Sequence, residues 1–325
     1  MPAPRVLVVK LSSLGDLFHA LPAVHGLKQG LGAVVDWVTQ PEYAGLVRCF
    51  TDVDRVILFP RRGFLTGARA FLSDLRRERY DLAVDLQGLL KSALVTRLTR
   101  AARRLGPSYH REGAHRMYHE TAAPAEPGRH AVEQAFDSLR ALNLPAQPPV
   151  FPVSFPSVAV NLPRPRIALL PCSRWPTKNW GADSFAAAAR ELIKRAGASI
   201  VLLGAPADQP VCRRIADQVP GSTDLSGKTS LVELGGWLAQ MDLVISVDSG
   251  PMHMAAALGR PVLALFGPTD PARTGPYGEA HRVLQIGDLP CRPCYRRSCE
   301  RKDLACLERI SPEQVVANAM EMLNR

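Results

Sequence analysis

Seven prolines fall between Pro145 and Pro165, in the stretch PAQPPVFPVSFPSVAVNLPRP, and no other feature of this 325-residue chain restricts its fold so sharply. A proline locks its own φ and brings no backbone N–H, so this density forbids a helix and starves a central strand of donors. The stretch reads as an interdomain linker. On each side of it, short apolar runs alternate with helical ones. Before it, Arg5–Lys10, Val34–Val38 and Leu82–Asp85 are predicted strands, and Ala20–Gly30 and Phe64–Arg79 are predicted helices. After it, the predicted strands are Ile167–Leu170, Ser199–Leu203, Leu243–Val247 and Val262–Phe266. The predicted helices there are Ala182–Ala196, Gln209–Gln218, Leu231–Gln240 and Met252–Leu258. Such alternation means βαβ units on a parallel sheet. The expected fold class is therefore α/β, with two doubly wound domains over residues 1–155 and 156–310. A closing helix over 311–325 starts with Ser311 as its N-cap and Pro312 in its first turn. In open sheets of this kind ligands collect beyond the carboxyl ends of the strands, which makes the cleft between the domains the expected site.

Composition narrows the classes further. Apolar residues make up 46% of the chain, enough for two cores, and 22% charged residues is ordinary for a globular protein. The apolar runs are far shorter than the roughly 18 residues of a bilayer span. The opening residues lack a secretory signal pattern, so a cytoplasmic location is expected, with the seven cysteines in a reducing compartment. The net charge is +10, carried by 33 arginines against 7 lysines. Arginine's planar fork suits phosphate and carboxylate oxygens, so an anionic partner is one reading and a solvated basic surface the other. The basic excess is spread over both halves, and no nucleic-acid arm is indicated.

Four loops at strand ends carry candidate chemistry. In KLSSLGD (10–16), Ser12, Ser13 and Gly15 can present backbone N–H groups at a helix start. Asp16 there is either a cap of that helix or a general base facing the cleft. DLQGLLKS (85–92) adds Gln87 and Lys91 to the same crevice, though a satisfied turn explains it as well. PCSRWPTKNW (171–180) places Lys178 where a point charge reaches a diphosphate, while Trp180 reads as a cover of the core. In SVDSGPMH (246–253) the amides of Ser249 and Gly250 form a phosphate cradle, with Asp248 or His253 on sugar hydroxyls. The competing reading there is N-capping, with His253 a packed residue. The tail is the one metal signal: Cys291, Cys294, Cys299 and Cys306 stand within 16 residues, which suits a structural metal, free thiols or a reversible disulfide.

Taken together, KLSSLGD, DLQGLLKSALVTRL (85–98), RWPTKNW (174–180), VLLGAPAD (201–208), SVDSGPMHMAAALGRPVLALFGPTDP (246–271) and CRPCYRRSCERKDLAC (291–306) resemble the bacterial lipopolysaccharide heptosyltransferases over nearly the whole chain. The resemblance implies a GT-B fold of two facing Rossmann-like domains, the acceptor held by the first and ADP-heptose by the second. It implies an inverting transfer of heptose, with Asp16 as catalytic base and Lys178 stabilising the leaving diphosphate. Ser173, Thr177, Asp208, Asp248, Ser249, Gly250 and His253 match donor-binding positions. Ser13, Gly15, Arg61, Arg62, Gln87 and Lys91 are the acceptor candidates. No paired carboxylates in a DxD arrangement are read from the sequence, so transfer is expected to need no cofactor. The implied partners are ADP-heptose and Kdo-lipid A or its heptosylated core, met at the cytoplasmic face of the inner membrane by a peripheral protein. KLSSLGD and DLQGLLKSALVTRL look like the enzyme that adds the first heptose, RWPTKNW and the cysteine tail like the one that adds the second, so the acceptor stays open between Kdo and the first heptose. Twin Rossmann-like domains also serve other nucleotide-sugar transferases and epimerases. A non-catalytic protein binding RNA or anionic lipid is a third reading; with only 6% aromatic residues, the stacking platforms of RNA modules are not evident.

Overall fold

Residues 2–60, 64–126 and 128–324 are described by a computed structural model, and the chain divides into two compact units after Ser154. The first unit is built on β1 (Arg5–Val9), β2 (Val34–Thr39), β3 (Arg55–Leu58), β4 (Leu82–Asp85), β5 (Arg103–Gly106) and β6 (Glu120–Thr121). The second uses β7 (Arg166–Leu170), β8 (Ser199–Leu202), β9 (Thr223–Asp224), β10 (Leu243–Val247), β11 (Val262–Phe266) and β12 (Arg282–Gln285). The strand orders are β3-β2-β1-β4-β5-β6 and β12-β11-β10-β7-β8-β9, and every named pairing is parallel. Strands covered on both faces have no polar side to alternate with, which is why RVLVV, LVISV and VLALF read as unbroken apolar runs and lie at the centres. Each order reverses once, between β1 and β4 and between β7 and β10, and at such a reversal the flanking loops diverge and leave a crevice.

The closing helix Pro312–Leu323 starts as expected, with Ser311 Oγ accepting from the Gln314 N–H at 3.3 Å. It buries Val315, Val316, Ala319 and Met322 in the core of the second unit, beside the helices Ala182–Ala196 and Gln209–Gln218. Trp180 is 1% exposed there, and its indole N–H donates to the Ile310 carbonyl at 3.0 Å.

Differences from expectation have local causes. The first helix spans Leu14–Leu31 rather than starting at Ala20, because Ser13 and Asp16 cap it before the apolar periodicity begins, and Gly32 ends it at φ 59. The helix Leu90–Leu98 follows the DLQG loop, where the sequence reads as a strand, polar residues and glycine before a helix; Leu90 and Leu94, one turn apart, are 39% and 43% exposed, so its apolar residues do not mark a single buried face. The strands β3, β5 and β12 were hidden by their arginines and β6 and β9 by their two-residue length. The proline-rich stretch is irregular, as expected, but tethered. Thr51 N–H donates to Pro152 O and Ser154 N–H to Cys49 O in the first unit; the Arg166 guanidinium donates to Leu162 O and Val160 O in the second.

Candidate active site

In the first unit, the loops after β1 and β4 flank the strand-order reversal and are laced together. Gln87 Oε1 accepts from the N–H groups of Leu11 at 3.1 Å and Ser12 at 3.2 Å. Lys10, 7% exposed, donates from Nζ to Leu86 O at 2.6 Å, an oxygen that also accepts from Tyr109 Oη at 2.8 Å. Asp85 is fully buried: Oδ1 accepts from the Gln87 and Gly88 amides at 2.7 and 3.0 Å, and Oδ2 from Tyr118 Oη at 2.8 Å. Burial raises the Asp85 carboxyl against these hydrogen bonds. Burial likewise holds the Lys10 ammonium below its ordinary range, opposed by the charges of Asp16 and Asp85. Gly88 has φ +75, and a Cβ there would lie 2.9 Å from Pro107 Cγ, so the turn requires glycine twice over.

Asp16 performs the capping role read as its alternative: Oδ2 accepts from Ser13 N–H at 2.9 Å and Ser13 Oγ at 2.7 Å. Its side chain is nevertheless 45% exposed, and Oδ1 lies 3.9 Å from His19 Nδ1. A carboxylate oriented by a cap and still open to solvent can also take a proton. Ser13, Gly15 and Gln87 share this edge of the sheet. Lys91 is exposed, with Nζ 5.6 Å from the Phe59 ring centroid. Arg61 and Arg62 lie outside the described residues.

In the second unit the corresponding reversal joins two of the sequence motifs. Lys178, after β7, pairs through Nζ with Asp248 Oδ2, after β10, at 2.6 Å, with side chains 15% and 6% exposed. Thr269, after β11, donates to the same oxygen at 2.6 Å. Lys178 also lies 4.7 Å from the centroid of Trp175. Ser249 is the N-cap of the helix Gly250–Ala257, and its Oγ is 3.3 Å from Ser246 Oγ. His253 is buried inside that helix. Ser173 N–H donates to Asn179 Oδ1 at 2.8 Å, whereas the Thr177 hydroxyl is turned away to Arg296 O at 2.7 Å. Asp208 accepts from Ala205 N–H at 2.8 Å, and its Cβ would be 2.9 Å from a Cβ on Gly204, so that loop too depends on glycine.

The metal reading of the tail needs correction. Cys291, Cys294, Cys299 and Cys306 line one cavity of about 470 Å³, and all four are free thiols. Among the described residues, however, no group of three or more His, Cys, Asp or Glu side chains is placed to hold a metal ion. The segment is instead anchored by the Arg292 guanidinium, which donates to the carbonyls of Gly267, Thr269 and Ile286. Burial raises the Cys306 thiol. A DxD pair does occur, at Asp52 and Asp54. Its carboxylates accept from His25 or Lys28 at the opposite, amino-terminal edge of the first sheet, with Oδ2 of Asp54 also bonding the Val35 N–H.

Sequence reasoning assigned no role to Lys10, Asp85, Tyr109 or Arg297. Lys10 and Asp85 open their motifs, and the scarcity of lysine was a usable signal for the former. The tyrosines and Arg297 carried none: the Arg297 guanidinium reaches Trp175, 5.1 Å from the ring centroid, only through the path of the tail.

Glycosyltransferase family 9 (heptosyltransferase) matches residues 68–305 of the chain. Lipopolysaccharide heptosyltransferase 1 of Pseudomonas aeruginosa is 31% identical over 98% of this chain and 98% of its own. Lipopolysaccharide heptosyltransferase 2 of Salmonella typhimurium is 28% identical over 87% of this chain and 88% of its own. Among solved structures, Escherichia coli heptosyltransferase WaaC with ADP superposes with a TM-score of 0.81 at 28% identity, covering 98% of this chain and 99% of that one.

Proposed function

The chain belongs to glycosyltransferase family 9, the heptosyltransferases, and from that membership we infer that it moves heptose from ADP-heptose onto the inner core of lipopolysaccharide. Its two Rossmann-like units are the GT-B architecture, and it is a glycosyltransferase. The single observation that carries the finer reading is the 31% identity to a lipopolysaccharide heptosyltransferase 1 over 98% of both chains. The relative of the second type matches less of the chain at lower identity, which favours Kdo as the acceptor.

In this reading the acceptor hydroxyl loses its proton to Asp16, and its oxygen attacks the anomeric carbon of the heptose. The bond from that carbon to the diphosphate oxygen breaks with its electron pair, and ADP departs from the opposite face, so the configuration inverts. Charge develops on the departing diphosphate, where Lys178 and the amides of Ser249 and Gly250 stabilise it. Asp248 and Thr269 hold Lys178 in place. Ser173, Thr177, Asp208 and His253 belong to the donor side. Ser13, Gly15, Gln87, Lys91, Arg61 and Arg62 belong to the acceptor side. No cofactor takes part. The enzyme works as a peripheral protein at the cytoplasmic face of the inner membrane; none of the described helices is long and apolar enough to cross a membrane.

The test is transfer from purified ADP-heptose to a deacylated, heptose-free core acceptor. ADP release and a single new anomeric signal of inverted configuration in the proton NMR spectrum are expected. Protection against heat by UDP-sugars and not by ADP-heptose, with no transfer, would overturn the assignment.

A further inference from the structure

In the first unit, a groove of about 620 Å³ lies between the helices Phe64–Leu75 and Leu90–Leu98, and of its lining residues only Lys91 belongs to the acceptor side described above. Five cations line it, Arg76, Lys91, Arg97, Arg100 and Arg104, and no acidic side chain does. Among the described residues none of the five is ion-paired. Crowding is real at one end, where burial and then the Arg97 charge lower the proton affinity of Arg104. The turn after the second helix sets Arg100 at φ 59, a conformation that glycine adopts freely, so a cation is kept there at a backbone cost.

The floor has the opposite character. Phe59, Phe71 and Leu94 face the groove, and Leu94 remains 43% exposed. Lys91, Leu94 and Arg97 recur every three residues along one side of their helix, so charge and hydrocarbon are interleaved on a single outward surface. A free phosphate would satisfy the rim and leave the apolar floor wet, and a plain hydrocarbon would do the reverse. An anionic headgroup joined to methylenes satisfies both.

We propose that this groove docks the protein on a bilayer by taking the phosphate of an anionic phospholipid between Arg97, Arg100 and Arg104, with the first methylenes of an acyl chain on Phe71 and Leu94. The proposal rests on the reading of a membrane-held acceptor, but its test can fail separately.

The experiment is flotation of the full chain with vesicles of phosphatidylglycerol in phosphatidylcholine, against phosphatidylcholine alone. Binding to the anionic vesicles only, weakening with salt, is expected. Arg97→Glu with Arg100→Glu should weaken it at least about 25-fold, two surface cations at roughly fivefold each. Leu94→Ser should give a smaller loss that persists at high salt. Turnover of the deacylated acceptor should be unchanged in both variants. Equal flotation with either vesicle, or wild-type flotation of the charge-reversed variant, overturns the proposal. So does full displacement by millimolar inorganic phosphate, which would make the groove an anion site alone, or preference for single-stranded RNA over vesicles. Loss of soluble turnover in the charge-reversed variant, with an unchanged circular dichroism spectrum, overturns it by moving the groove into the transfer site. If the wild type transfers no heptose yet floats with anionic vesicles, only the reaction assignment falls.

Discussion

The two units answer the same topological problem with the same residue types in different electrostatic settings. At the reversal in the first sheet, buried Lys10 spends its ammonium on the Leu86 carbonyl, while Asp85 is satisfied by amides and a phenol. At the reversal in the second, Lys178 and Asp248 meet directly at 2.6 Å. A lysine without a contacting carboxylate in a low-dielectric setting loses affinity for its proton; one paired with a carboxylate keeps its charge. The first arrangement leaves Asp16 exposed and open to an incoming hydroxyl, which suits a site that moves protons. The second holds the lysine in a fixed position against a carboxylate, which suits a site that receives a leaving anion.

The comparison is broken most forcefully at Asp16. Asp16→Asn retains an oxygen for the Ser13 cap and removes the base, so turnover should fall about 10²–10⁴-fold with little change in the melting temperature. Wild-type turnover would leave Asp16 as a cap and nothing more. The second test strands a charge. Lys178→Met leaves Asp248 buried without its partner and should cost about 3 kcal/mol by chemical denaturation. Adding Asp248→Asn should restore most of that stability and none of the affinity for ADP in calorimetry. Recovery of ADP binding in the double variant would take the diphosphate away from Lys178.

The smallest expected effect concerns Lys10. Burial holds its folded-state pKa below the ordinary lysine value of 10.5, so the unfolded chain binds the proton more tightly. Stability attributable to this residue therefore rises with pH, from the depressed pKa up to 10.5. The difference in unfolding free energy between wild type and Lys10→Met should move toward the wild type as pH is raised through that window. A difference that stays flat would show that burial does not depress this ammonium.

Much of the fold was legible where a single physical rule acts alone. Ala182–Ala196 and Gln209–Gln218 were bounded to the residue by amphipathic period and caps, the start of Pro312–Leu323 by its Ser311 cap, and Leu243–Val247 and Val262–Phe266 by unbroken apolar runs. Rules in conflict hid the rest. In RRLG and RVLQ the arginines of β5 and β12 outweigh the apolar residues: β12 is an edge strand, which needs little burial, and β5 lies one strand in from an edge with Arg103 exposed. The helix Leu90–Leu98 was expected after the DLQG loop, but with its leucines exposed the periodicity gave it no bounds. For the site, the loops holding Lys178 and Asp248 were visible as motifs, but their pairing was not. The tail's spacing suggested a metal, while the chain path wraps around Arg292 instead.

By itself the sequence determined the central strands, the well-capped helices, and which loops carry lysine, aspartate and glycine, because these depend on neighbours within a few positions. Only the tertiary structure decided that residues 70 positions apart share one crevice. Strand order is chosen by which apolar edges pair, and that choice sets Lys178 against Asp248, Lys10 against the Leu86 carbonyl, and five cations around an apolar groove.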